Sequence, residues 1–429
     1  MQTESMHALS GFGRPSSSTS GAASPEEIPV EIFRERLHEE KQPVHENWWF
    51  ITLFAAALPM GLCFAFRLGP IGEFMKADPG WSPNLTDRDI QLLDITAIAP
   101  SVMAPVMIGM AMDAAWSLNL ALLICLITSV LGQFMVAMGI AWHSFGLALT
   151  GRFVGGLCIG PILVICDTIA AQFNRRRRGV TFAAISSISS VFVSLNTYSW
   201  VNEFTRESLQ GEYEKMSDIF LIVSLLSLGV GFLWAPMVSS FDMEDSPKRR
   251  YWKWHMPSSM WALAFTQVLF CMFHAGTSTS RSSLSWELMS TIIVGPVLGY
   301  SLDKSGLSQG GSLTACYAII LALFFAVLGT VSDMPWLLGL SMGSVWMLLR
   351  CVVPQIASRD CLSTSFGILE GSLVLGWILY SNIELTRLGE LACALFSLCL
   401  VTMILVKLRR KWKQLRLPEI AQPLYGRGG

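Results

Sequence analysis

Charge is scarce in this chain. Only 14% of its 429 residues are Asp, Glu, Lys or Arg, while 52% are hydrophobic; a soluble domain carries about 25% charged residues to keep its surface wet. That deficit excludes a water-soluble protein. Paired cysteines are lacking as well. Ten cysteines occur, none in a C-x-x-C pair and all in or beside apolar runs, so they read as small buried hydrophobes. There is no P-loop, no nucleophile elbow on a strand-to-helix turn, and no histidine or cysteine cluster at metal-ligand spacing. The expectation is a protein that is not an enzyme and needs no cofactor. A net charge of -1, with the basic residues confined to loops, leaves no footprint for a nucleic-acid partner.

What is present is a succession of apolar runs. At 1.5 Å rise per residue about 20 residues cross a ~30 Å hydrocarbon core, and runs of that length fall near 48–75, 90–112, 118–140, 145–173, 179–203, 218–241, 257–280, 284–301, 312–331, 335–357, 363–386 and 388–407. The fold class expected is an all-α integral membrane protein of twelve transmembrane helices, each satisfying its own backbone hydrogen bonds as lipid demands. Residues 1–47, rich in Ser, Gly, Pro and Glu and without an apolar core of signal-peptide type, read as a disordered tail. Residues 242–256, "DMEDSPKRRYWKWHM", read as a linker between an N-terminal bundle (48–241) and a C-terminal bundle (257–407), and residues 408–429 as a basic tail.

Basic residues set the expected orientation. Arg175 to Arg178, Lys248 to Arg250, Lys304 and the tail from Lys407 to Arg416 fall in alternate loops. Those between are acidic, as in "NEFTRESLQGEYEKMSD". The positive-inside rule then puts both termini in the cytosol. The triplet Asn84-Leu85-Thr86 falls in the first outside loop, which makes Asn84 a glycosylation candidate.

An internal repeat supports the split into two pseudo-symmetric six-helix bundles. "PVMIGMAMD" places Gly109 four residues before Asp113, and "PVLGYSLDKSG" places Gly299 four residues before Asp303; duplicated halves of this kind are a transporter architecture. The repeated G-x-x-x-D resembles the loop signature of the major facilitator superfamily, whose fuller form adds basic residues after the aspartate. The second copy keeps Lys304 and Gly306, whereas the first, "DAAWSLN", has none. Within that superfamily, "GRFVGGLCIG", "QFNRRRRG", "SSISSVFVSLN" and "STSFGILEGSLVLG" are similar to the branch that includes the lysosomal dipeptide uniporter. The resemblance runs across most of residues 48–407. It implies a secondary transporter, a dipeptide-like or other carboxylate-bearing substrate moved by uniport, a lysosome-like or plasma membrane, and an accessory membrane subunit as a candidate partner. The branch carries a glutamate in the fourth helix and an arginine in the fifth. The corresponding positions here are Ile159 or Gly160 and Ser190 or Val191, so the substrate does not carry over with the fold. The other reading is a transporter-like receptor or accessory partner with weak transport, for which the missing basic residues after Asp113 speak.

Ionisable groups inside spans are costly unless they face a partner or a watery cavity, so each is a functional candidate. Arg67 lies near the outer end of the first helix. Arg152 lies in the outer half of the fourth, to be met by Arg67, Asp94 or a bound anion. Asp167 stands fifteen residues on, about 22 Å along the axis; it is expected to pair with the arginines that follow or to hold a gate. His274, which titrates near neutral pH, is the candidate for passing a proton. The family lines its cavity with helices one, four, seven and ten. Arg350 in the tenth is the first choice for an anionic substrate, because its fork of donors matches a carboxylate. Glu287 and Glu370 are the carboxylates to balance it, and Asn196 could donate to substrate. Asp113 and Asp303 are expected to gate the path by sitting at the starts of helix eleven, near Ser363, and helix five, near Gly179, where exposed amides and the helix dipole attract a carboxylate. Gly151, Gly155, Gly156 and Gly160 are expected to form one stripe for close helix packing.

Overall fold

The computed structural model describes residues 85–114, 116–173, 177–198, 256–277, 289–304, 310–383 and 386–421, together with Met75, Trp81 and Trp286. The tail 1–47, the span 218–241, residues 48–74 of the first span and residues 242–255 of the linker lie outside the described residues.

All the regular structure among these residues is helical. In the N-terminal half α1 covers Asp87–Ile98, α2 Pro100–Ala114, α3 Leu118–Ala141, α4 Phe145–Phe173 and α5 Arg178–Tyr198. In the C-terminal half α6 covers Ser258–Thr277, α7 Gly295–Lys304, α8 Gly310–Val331, α9 Pro335–Ile356, α10 Leu362–Asn382 and α11 Arg387–Ala421. Eight stretches among them are long and apolar enough to cross a membrane, α1 and α2 counting as one. Large apolar side chains such as Met103, Met107, Leu321, Phe324 and Met403 are exposed, while Arg152, Asp167, His274 and Glu370 are buried. This inside-out arrangement belongs to a bundle bathed in lipid, where polar groups turn inward.

Helix ends follow local chemistry. Thr86 caps α1, its hydroxyl accepting from Asp89 N at 3.4 Å while Asp89 Oδ2 accepts from Thr86 N at 2.8 Å; this reciprocal box satisfies two amides that the first turn would leave bare. Pro100 supplies no N–H to the helical ladder, and the second span divides there into α1 and α2. At the matching place in the other half a π-turn, Ser290–Val294, precedes α7. The last helix runs to Ala421, so the basic segment after residue 407 begins as helix.

The repeat is built into the packing. Gly109 and Asp113 recur as Gly299 and Asp303 at one constant spacing, and so do Gly139 and Gly329, whose virtual Cβ atoms would lie 2.5 Å from Ala148 N and 2.8 Å from Leu338 N. These approaches let α3 lie on α4 and α8 on α9. Both hairpins close with a Schellman turn: Ser144 N bonds to Gly139 O and Met334 N to Gly329 O, each at 2.8 Å, with His143 (φ 50°) and Asp333 (φ 54°) in the left-handed region. Across the halves α2 lies along α10 and α5 along α7.

The glycines of "GRFVGGLCIG" serve two faces rather than the single stripe expected. Gly151 and Gly155 meet α3, whereas Gly156 meets Ala97 and Gly160 meets Pro105. Neighbouring residues on a helix point about 100° apart, so Gly155 and Gly156 cannot share one contact line.

Candidate functional site

Three charged side chains meet where α4, α9 and α10 come together. Arg350 on α9 donates to Glu370 Oε1 on α10 from Nε at 3.1 Å and from Nη2 at 2.7 Å. Its Nε also lies 3.3 Å from Asp167 Oδ2 on α4. The side chains are 12% (Arg350), 1% (Asp167) and 2% (Glu370) exposed, so the cluster is held almost out of solvent. Glu370 and Arg350 belong to the C-terminal half and Asp167 to the N-terminal half, which makes Arg350 a tie between them. Neither oxygen of Asp167 has a hydrogen-bond partner among the described residues.

This geometry changes two expectations. Asp167, on the buried face of α4, has Arg350 of the other half beside it, while of the arginine run expected to pair with it Arg178 donates to the Ala171 carbonyl at 2.8 Å and Arg175 and Arg176 lie outside the described residues. Arg350 is not an open fork waiting for an anion, because two carboxylates already flank it. Of the two carboxylates proposed to balance it, Glu370 does so in this structure. Asp167, the other partner, was hidden from sequence reading because helix spacing says nothing about which side chains of separate helices converge.

A second pair joins α4 to α1: Arg152 Nη2 lies 3.4 Å from Asp94 Oδ1. Asp94 was one of three partners the sequence allowed. Arg152 is buried, with its side chain 5% exposed, and Asp94 is half exposed at 47%.

His274 is buried on α6 within three aromatic rings. Its ring centroid lies 5.6 Å from Trp346 on α9, 6.1 Å from Trp377 on α10 and 6.4 Å from Phe270. Trp346 precedes Arg350 by four residues, so both occupy one face of α9. Neither tryptophan was singled out in the sequence; aromatic residues are common in membrane helices, and nothing local marked these two.

At one end of the bundle two aspartates cross between the halves. Asp113, at the end of α2, accepts from Ser363 N at 3.1 Å, Thr364 N at 2.7 Å and Thr364 Oγ1 at 2.6 Å, at the start of α10. Asp303, at the end of α7, accepts from Gly179 N at 2.8 Å and Val180 N at 2.9 Å, at the start of α5. Each carboxylate accepts from amides that a helix start leaves without an intrahelical partner. The backbones touch beside them: a Cβ on Gly109 would collide with the Ser363 carbonyl, and one on Gly299 with the Gly179 carbonyl. Arg67, Asn84 and Glu287 lie outside the described residues, as does the side chain of Asn196. No group of three metal-ligating side chains occurs among the described residues.

Scanned against protein-family models and searched against characterised proteins, the chain matched none. Solved structures do match. The E. coli fucose:proton symporter FucP superposes with a TM-score of 0.60 at 9% identity, covering 85% of this chain and 99% of the symporter. A bacterial homologue of the iron transporter ferroportin, in an outward-facing state, gives 0.60 at 11% identity over 86% of this chain and 100% of its own. The human organic anion transporter MFSD10 gives 0.53 at 14% identity over 86% and 100%. At such identities the likeness is one of architecture, and it agrees with the helix pairing, the repeat and the crossing aspartates: this chain has the fold of the major facilitator superfamily transporters.

Proposed function

We propose that the protein is a secondary transporter that moves a small polar organic solute by alternating access. The observation that carries the reading is the pair of aspartates that cross between the halves at one end. Each is held by hydrogen bonds to helix-start amides, contacts that break and re-form without covalent change as two rigid bundles rock. The positive-inside rule assigns that end, and both termini, to the cytosol. The state described here is then closed toward the cytosol.

A carboxylate-bearing substrate suits the central cluster, where Arg350 is the group matched to its carboxylate. Such a substrate reaches Arg350 only by displacing Asp167 or Glu370, so binding and the tie between halves compete for one guanidinium. His274 and its aromatic neighbours, on the same side of α9, supply an apolar wall for the rest of the solute. The receptor reading loses its footing because Asp113 makes its three bonds without the missing basic residues.

The test is uptake into liposomes by the purified protein, using labelled dipeptides, amino acids, sugars and organic acids with and without an imposed pH step. We expect at least one solute to enter, and uptake to fall at least tenfold in Arg350→Lys, which keeps the charge but loses the fork. No uptake across the whole panel would overturn the reading.

A further inference from the structure

We propose that Asp167 is a proton-binding site. In the state seen here its carboxyl carries a proton while Glu370 keeps Arg350, and loss of that proton favours opening of the end closed by Asp113 and Asp303. The inference rests on the transport reading above and names its coupling ion.

The charge count comes first. Two carboxylates and one guanidinium, all ionised, sum to one negative charge in a cluster whose side chains are 12%, 1% and 2% exposed. A buried charge without a counter-ion is among the costliest features a protein can hold. Among the described residues the titratable groups that face Asp167 are Arg350 and the Cys351 thiol from α9 and Glu370 from α10. The helices α1, α2, α3 and α5, which also pack on α4, bring no charged group to it.

Hydrogen bonding then says which carboxyl holds the proton. Arg350 directs both of its hydrogen bonds in the cluster to Glu370 Oε1. The 3.3 Å approach to Asp167 lacks hydrogen-bond alignment, and both Asp167 oxygens are buried without a hydrogen-bond partner among the described residues. An ionised carboxylate needs such donors far more than a neutral acid does. A metal ion is the poorer occupant, since a hard cation gathers several oxygens away from other cations, and a guanidinium stands beside both carboxylates.

Position makes the proton consequential. Among the described residues, the rings around His274, the residue expected from sequence to pass a proton, belong to the C-terminal half. Asp167 faces Arg350 across the boundary between halves. When that boundary opens, water hydrates the carboxylate and favours its ionised form, so the closed state binds the proton more tightly. By linkage, acid favours the closed state and alkali favours opening.

The probe is the proton itself, applied to the purified full-length protein. Infrared difference spectra between acidic and alkaline buffers should show the C=O stretch of a neutral carboxylic acid, absent in Asp167→Asn, shifted in Asp167→Glu and, with one carboxylate fewer beside Arg350, lost at lower pH in Glu370→Gln. Spin labels on Trp116→Cys and Ser301→Cys, exposed positions on opposite halves at that end, should report a short distance in acid and a growing long-distance population in alkali. In Asp167→Asn the short distance should persist at every pH. A band that survives Asp167→Asn, a band that persists to higher pH in Glu370→Gln, or an unchanged distance response in Asp167→Asn would overturn the proposal. So would a band removed by sodium in place of potassium at fixed pH, which would make the site one for a metal cation. If no solute is transported but the band and distances behave as described, the transport reading fails and the proton site stands.

Discussion

In the N-terminal half Asp113 reaches across to α10 through three bonds, one of them from the Thr364 hydroxyl; in the C-terminal half Asp303 reaches across to α5 through two backbone amides. Asp303 gains instead from the charges of Arg177 and Arg178 nearby. Two copies of one device have therefore diverged in what assists them, a hydroxyl on one side and guanidinium groups on the other. The lesson is that a loop signature stripped of its basic residues need not be a broken latch, because the bonds that matter come from the opposing helix. A second difference runs through the middle. Arg350 has one partner in each half, so the symmetry of the latches is not repeated in the cluster between them.

The largest effect is expected from breaking that central tie. Arg350→Ala leaves the buried Glu370 carboxylate without a counter-charge and should cost roughly 3–5 kcal/mol, read as lowered thermal stability of the purified protein in detergent. Glu370→Gln should cost more than Asp167→Asn, because Glu370 accepts both hydrogen bonds of Arg350. Equal losses would mean that the guanidinium belongs to neither half in particular.

The latches come next. Asp113→Ala should cost about 1 kcal/mol more than Asp303→Ala, the worth of one additional hydrogen bond. Raising the salt concentration should shrink the Asp303→Ala loss and leave that of Asp113→Ala nearly unchanged, since salt screens the arginines and has little hold on a hydroxyl donor. Unfolding measured at low and high potassium chloride decides it; a salt response of the same size in both variants would erase the distinction.

How far these comparisons were legible in the sequence depends on the kind of contact. Helix positions came from the length of apolar runs, and α4, α8 and α9 fall within two residues of where the runs placed them, while α10 starts within one residue and ends four residues earlier. The G-x-x-x-D repeat pointed to the aspartates and even to the helix starts at Ser363 and Gly179, because a helix end and a carboxylate attract each other by rules that are local to each. The central cluster was only half visible. Buried charge marked Asp167, Arg350 and Glu370 one by one, but three positions on three separate helices share no sequence register, and only packing brings them together. The π-turn at Ser290–Val294 was hidden for another reason: its residues, "STIIV", are as apolar as ordinary helix, whereas its counterpart at Pro100 is announced by the proline itself. Thr86 and Asp89 could have been read as a capping box, a signal passed over in favour of the glycosylation triplet that shares Thr86.

That box supplies a smaller prediction, at the start of α1. Thr86→Ala should cost about 1 kcal/mol and fray the first turn of α1, seen as faster amide exchange at Arg88 and Asp89. If Asn84 carries a glycan in cells, the same change removes it, and Thr86→Ser should restore both the cap and the glycan.

The smallest effect separates the two hairpin turns. His143 and Asp333 both sit at positive φ, where a residue with a side chain bears roughly 1–2 kcal/mol of strain and glycine bears none but gives up about 0.5–1 kcal/mol of extra chain entropy. Asp333→Gly should therefore gain about 0.5 kcal/mol, since all it forfeits is an ion pair to Arg387 at 3.7 Å between side chains 90% and 80% exposed, which water and salt screen to little. His143→Gly should gain less, because His143 lies against Trp81 with ring centroids 5.8 Å apart and that contact is lost with the ring. Paired unfolding curves for the two variants test the difference. A greater gain at residue 143 than at residue 333 would show that the Trp81 contact holds nothing, and that the two turns are equivalent in energy as well as in shape.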